Sequence, residues 1–101
     1  MFALLAFAAI SAAPSQNQQG AMKAWTTCLT TYIIPRLPKE KTVAIVDGGL
    51  AACLPQERKL HQTYVREMGS SGNVMFDGVR AGARQHLLSM VATGKAQRGY
   101  Q

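Results

Sequence analysis

Two cysteines are the residues in this sequence whose type and spacing most readily suggest chemistry. Cys28 and Cys53 each lie on the apolar side of a segment with helical spacing, and Trp25 precedes the first by about one turn. In an exported chain, two cysteines most simply form one structural disulfide. Closing a loop of 25 residues (53 minus 28) stabilises a fold by roughly 3 kcal/mol in the chain-entropy model. Thiol exchange is the alternative use of the pair, although the spacing is not Cys-x-x-Cys.

Other side chains offer little for catalysis or metal binding. The two histidines, His61 and His86, fall in the last two helical segments without an evident third ligand, so the sequence predicts no metal site. The chain has no Gly-x-Ser-x-Gly motif and no paired carboxylates, which removes the usual signatures of acyl transfer and glycoside hydrolysis. The sequence therefore predicts a protein that is not an enzyme and carries no cofactor.

Length and composition indicate one small folded domain. The chain has 101 residues, of which 48% are hydrophobic and 16% charged, a balance typical of globular proteins rather than disordered ones. Eleven Lys and Arg against five Asp and Glu give a net charge of +6. That charge favours an acidic partner, or alternatively only confers solubility.

The first thirteen residues resemble a secretory signal peptide. Residues 2–13 carry no charge and end in small side chains, as an apolar region before a cleavage site does. The positive residues that usually precede such a region are missing, and an apolar N-terminal helix retained in the fold is the alternative. The segment is too short to span a bilayer, which takes about 20 residues. We expect cleavage within residues 12–15 and a periplasmic or secreted protein.

The rest of the chain divides into a polar spacer over 14–20, a helical domain over 21–94 and a basic, flexible tail over 95–101. Apolar residues recur at three- and four-residue steps from Ala21 to Ile33, which predicts an amphipathic helix. Pro35 and Pro38 then predict a connector.

The segment from Thr42 to Leu54 is ambiguous. Its β-branched residues followed by Asp47 and Gly48 suggest a strand and a tight turn, but no second alternating run follows to pair with it. As a helix it has one apolar face that includes Cys53. We take it as a helix, in which Gly48 and Gly49 allow a neighbouring helix to approach closely.

Two further helices are predicted after Pro55. The first runs to Gly69 with Leu60 and Tyr64 on its apolar face, and the second covers roughly 74–93 and ends at Gly94. Together these patterns predict an all-α fold, a small bundle of about four helices tied by one disulfide.

Basic side chains on the last two helices predict a binding face. Its members project from neighbouring helices and are Arg58, Lys59, Arg66, Arg80 and Arg84. The face lacks the interleaved aromatic residues of nucleic-acid sites, and export removes most nucleic acid. We therefore expect its partner to be an acidic protein or an anionic surface of the cell envelope. A solvated face without a partner is the simpler alternative.

The sequences Trp25-Thr26-Thr27-Cys28 and Leu50-Ala51-Ala52-Cys53 resemble those of small exported bacterial proteins of unknown function, which have an early Trp-x-x-Cys and a second Cys closing an Ala-rich helix. The resemblance covers about the middle third of the chain, and the Pro35, Pro38 and Gly48-Gly49 positions depart from it. It implies an envelope location, a disulfide and a helical fold, but no activity.

The functional expectation is accordingly a non-catalytic binding or interaction module. A thiol-redox protein or enzyme that uses Cys28 and Cys53 is one alternative. A structural subunit of a helical oligomer is another, since four short helices can leave apolar surface exposed.

Overall fold

A computed structural model describes residues 15–99, and the predicted signal segment lies outside them. Within that range the chain is helical and has no strand, so the predicted all-α fold is confirmed. The helices are α1 (Gln16–Ile33), α2 (Thr42–Ala52), α3 (Leu54–Met68) and α4 (Ser71–Gln97), with a short 3-10 turn (Ile34–Arg36) after α1.

Helix α1 begins earlier than the sequence predicts. The expected spacer over 14–20 is instead helical from Gln16 onward. Ser15 explains the difference, because its Oγ accepts a hydrogen bond from the backbone N–H of Gln18 at 3.0 Å and so caps the helix. The same hydroxyl donates to the carboxylate of Glu67 on α3 at 2.7 Å, which places a negative charge at the positive end of α1.

The ambiguous segment is the helix α2, as predicted, and it packs on α1 through glycines. Gly49 is buried, and a Cβ at Gly48 would overlap the hydroxyl of Tyr32 on α1. The two glycines therefore allow the close approach that the sequence suggested, at the cost of their weak helix propensity.

Each of the outer helices, α1 and α4, packs on both α2 and α3. Buried apolar residues from every helix fill the space between them, with Trp25, Ile45, Val46, Cys53 and Leu60 almost completely inaccessible to solvent. Trp25 and Phe76 join α1 to α4 with their ring centroids 6.4 Å apart. The domain thus has one continuous hydrophobic core, as expected for a chain too small to divide its apolar residues between two cores.

The junction between α3 and α4 is a tight turn at Gly69. Gly69 ends α3 with a φ of 64°, a conformation that glycine adopts readily. Helix α4 begins at Ser71 instead of Val74, and Gly72 is buried against the backbone of Tyr64. The absence of a Cβ at Gly72 lets the two helices meet there.

The end of α4 also differs from the prediction. Gly94 does not end the helix, which continues to Gln97. Lys95, assigned to a flexible tail from its sequence context, is only 5% exposed. Its Nζ donates a hydrogen bond of 2.7 Å to the backbone carbonyl of Leu37 in the connector after α1. This contact holds the last turns of α4 on the domain.

Candidate binding surfaces

The predicted disulfide is present and joins α1 to the junction of α2 and α3. Cys28 and Cys53 are bonded, with their Cα atoms 5.9 Å apart. Cys53 is fully buried, whereas Cys28 is half-buried. The bond therefore connects the first helix to the centre of the core, as a structural disulfide does.

Three of the five predicted basic residues lie on the outer face of α3. Arg58, Lys59 and Arg66 are exposed, while Leu60 and Thr63 of the same helix face the core. In the described part of the chain none of the three cations forms an ion pair. Their charges are thus available to a partner.

The other two predicted residues are engaged within the domain. Arg84 Nε lies 3.1 Å from Asp47 Oδ1 on α2. Arg80 Nε lies 3.5 Å from Glu57 Oε1 on α3, close enough for an ion pair although the atoms are not aligned for a hydrogen bond. Since the Glu57 side chain is only 7% exposed, its charge needs this guanidinium nearby. The available basic surface is therefore narrower than the sequence suggested.

The two histidines occupy different environments. His61 stacks on Phe76, with ring centroids 4.6 Å apart, and its Nε2 lies 2.7 Å from Asn73 Oδ1. His86 instead borders a groove between α1 and α4. Residues 15–99 contain no cluster of three or more potential metal ligands.

That groove is a feature that the sequence reasoning missed. It has a volume of about 350 Å³, within the range of small-molecule sites. Its lining comes from α1, α4 and the connector after α1, and consists of Met22, Trp25, Thr26, Leu29, Thr30, Ile33, Ile34, Leu37, Ala83, His86, Leu87, Met90 and Val91. Ile34 and Met90 are 50% and 54% exposed at its edges.

The threonines of the groove do not make its wall polar. The Thr26 hydroxyl donates to the carbonyl of Met22 at 2.8 Å, and the Thr30 hydroxyl donates to that of Thr26 at 2.9 Å. Because the helix backbone already satisfies these hydroxyls as donors, their methyl groups dominate the remaining surface. The sequence contains one sign of the groove, because the spacing of Met22, Thr26, Leu29 and Ile33 places them on one side of α1. Only the packing shows that no helix among residues 15–99 covers this side.

Comparison with known proteins gives no information about the function. No family model, curated protein or solved structure matches the chain. Within residues 15–99, none of the helices combines the length and apolar character needed to cross a membrane. The functional argument therefore depends on the surfaces themselves.

Proposed function

We propose that this protein is a small exported binding module, without catalytic activity, that attaches through the outer face of α3 to an anionic surface of the cell envelope. The observation that carries the proposal is the cluster of exposed cations Arg58, Lys59 and Arg66, which form no ion pair within residues 15–99. Export is supported by the apolar sequence of residues 2–13 and by the disulfide, which persists in oxidising compartments.

The charge distribution of the whole chain favours such a surface. Four of the five acidic residues already have partners within the domain, namely Glu40, Asp47, Glu57 and Glu67. Within residues 15–99 only three of the eleven Lys and Arg lie at ion-pair distance from a carboxylate, so eight cations contribute to the net charge of +6 without such a partner. An anionic lipid surface attracts each Lys or Arg held close to it by about 1 kcal/mol.

Binding to lipid vesicles tests the proposal. The triple variant Arg58→Glu, Lys59→Glu, Arg66→Glu lowers the net charge from +6 to 0. We expect it to bind vesicles rich in phosphatidylglycerol at least ~100-fold more weakly than the parent protein, since three attractive charges are lost. Neither protein should bind vesicles of phosphatidylcholine alone.

A matched variant separates a binding face from net charge. Lys23→Glu, Lys39→Glu, Lys41→Glu makes the same change in net charge at exposed positions outside α3. We expect it to retain most of the binding. Equal losses in the two triple variants would show that only total charge matters, and binding by the α3 variant at the parent level would reject the face altogether.

Thiol exchange is the second candidate function, because the two cysteines of the disulfide differ in their exposure to solvent. Cys28 is half-buried and borders a surface depression, whereas Cys53 is buried at the N-terminus of α3. A small thiolate would attack Cys28 Sγ, break the S–S bond and release Cys53 as a thiolate, which the helix N-terminus favours. Mass spectrometry after incubation with glutathione should then find the mixed disulfide at Cys28. Resistance of the bond at neutral pH would reject this use.

A further inference from the structure

Exposed apolar side chains are concentrated where α3 turns into α4. Seven large apolar residues within residues 15–99 are exposed, and four of them lie within six residues of Gly69. These four form what we call the α3–α4 corner, namely Val65 and Met68 at the end of α3 and Val74 and Met75 at the start of α4. Single exposed apolar residues are ordinary on a protein surface, whereas a group of them at one place indicates an interaction site.

The tight turn brings the apolar side chains of the two helices to one place. Asn73 of α4 lines a single surface depression together with Val65 and Arg66 of α3. Val74 comes directly after Asn73, and Met68 lies three residues after Val65, a spacing that makes two residues neighbours on the surface of a helix. The corner therefore presents apolar side chains from both helices beside the cation of Arg66.

The corner continues the cationic face of α3. Lys59 and Arg66 are seven residues apart, which is about two turns, so they lie along one side of the helix over about 10 Å. Arg58 and Val65 have the same spacing and form a second row beside the first. Because both rows run toward the corner, the cations and the apolar side chains can contact one partner together.

The two acidic residues closest to the corner in sequence are directed to other parts of the domain. Glu67 accepts a hydrogen bond of 2.7 Å from Ser15 Oγ, and Asp77 lines a depression between α2 and α4. The contact with Ser15 also places the start of α1 beside the corner. The apolar residues 2–13 are therefore attached to this end of the domain.

We propose that the α3–α4 corner inserts into an anionic lipid bilayer, with its four apolar side chains among the outermost acyl carbons and the α3 cations against the head groups. This inference rests on the proposed anionic-surface function, because the cations bring the corner to the surface, and it identifies that surface as lipid. Amphipathic protein surfaces of this kind bury their apolar side about 5–10 Å into the boundary of the acyl region. Removal of apolar area from water then adds to the attraction between charges.

An acidic protein fits the same surface less well. The core of a protein interface is enriched in aromatic anchors that fill preformed pockets, and none of the four apolar side chains of the corner is aromatic. Fluid acyl chains adapt to Val and Met side chains without a complementary shape. The predicted signal peptide, attached to the same end of the domain, would also hold the corner beside a membrane until cleavage.

Fluorescence quenching tests insertion directly. Val74→Trp adds an indole at the corner, Val43→Trp adds one at an exposed position of α2, and the native Trp25, which is 1% exposed, gives a constant background. Each protein is bound to phosphatidylglycerol vesicles brominated close to the head group, because bromine quenches indole fluorescence on contact. We expect the added emission of Val74→Trp to be lost and that of Val43→Trp to persist. Equal quenching of the two variants, or bound protein without quenching, would overturn the inference.

A second pair of variants measures the effect of the corner on affinity at constant charge. Val74→Gln with Met75→Gln removes side chains that are 76% and 50% exposed, and the control Val43→Gln with Met90→Gln removes side chains that are 55% and 54% exposed. We expect the corner variant to bind phosphatidylglycerol vesicles at least ~10-fold more weakly than the parent, and the control to bind as the parent does. Equal binding by both would overturn insertion, even if the charge reversals on α3 still abolished attachment.

An anionic polymer distinguishes lipid from an acidic protein as the partner. Polyglutamate offers carboxylates but no acyl chains, so the parent and the corner variant should bind it equally, since both keep every cation. Binding of the parent to polyglutamate but not to phosphatidylglycerol vesicles would overturn insertion and leave an acidic polymer or protein as the partner. Binding to neither would overturn both this inference and the proposed function.

Discussion

Gly72 provides a sharp test of how α3 and α4 meet. A Cβ built at this position would lie 2.5 Å from the carbonyl oxygen of Tyr64 and 2.7 Å from the backbone nitrogen of Val65. Both are main-chain atoms inside α3, so no side-chain rotation can relieve the overlap. Gly72→Ala therefore requires the two helices to separate.

Two opposing effects determine how Gly72→Ala changes the free energy of unfolding. Alanine in a helix interior is more favourable than glycine by about 1 kcal/mol. Overpacking a tight contact costs roughly 1–3 kcal/mol, and at Gly72 the contacting atoms are backbone, so the upper part of that range applies. At Gly78, in the same helix, a Cβ would meet nothing within 4 Å, so only the favourable effect remains. Because the favourable effect is common to both variants, their free energies of unfolding should differ by the overpacking cost alone, roughly 2–3 kcal/mol.

Thermal unfolding followed by circular dichroism measures this difference. For a domain of this size each kcal/mol moves Tm by about 4–8 °C, so Gly72→Ala should unfold at least ~8 °C below Gly78→Ala under oxidising conditions. Gly82→Ala, which also has open space around its Cβ, should behave like Gly78→Ala. If Gly72→Ala were as stable as these two, the close approach of α3 and α4 would be refuted.

Two other changes probe the ends of the fold. Replacing both Cys28 and Cys53 by Ala should lower the free energy of unfolding by about 3 kcal/mol, because a 25-residue loop is no longer closed. Denaturant unfolding measures this change, and reductant should lower the midpoint of the parent protein in the same way. A parent midpoint that does not change with reductant would contradict this stabilising role. Ser15→Ala should lower the free energy of unfolding by about 1 kcal/mol, because it removes the cap of α1. The control Ser89→Ala, at an exposed interior position of α4, should not lower it. Equal melting temperatures of the two variants would show that the cap does not stabilise α1.

The disulfide and the helical fold could be predicted because each depends on local pattern. Spacings of three and four residues bring the apolar residues of a helix to one side whatever surrounds it. The ambiguous segment could also be predicted as the helix α2, because the sequence offers no second strand to pair with it. Two cysteines on apolar helical faces then left one simple pairing.

The helix ends were mispredicted because distant residues determine them. Ser15 and Glu67, which meet at the start of α1, are 52 residues apart. Lys95 and the Leu37 carbonyl, which fix the end of α4, are 58 residues apart. Composition near each terminus, polar in one case and basic in the other, resembles that of a loop. Only the tertiary contact makes helix the better state.

The basic face shows the same limit for function. Helical spacing places Arg80 and Arg84 beside the apolar stripe of α4 but does not reveal which carboxylates lie opposite. Those carboxylates, Glu57 and Asp47, belong to α3 and α2. The α3 cations project away from the core and meet no such partner in the described range 15–99. Which cations remain available is thus decided by packing rather than by sequence pattern.

Salt should weaken the proposed attachment to an anionic surface. Charges on the outer face of α3 are exposed, so ions in solution screen them over a Debye length of about 8 Å at physiological ionic strength. Raising the salt concentration should therefore release the protein from anionic vesicles. Binding that does not change with salt would contradict attachment through these charges.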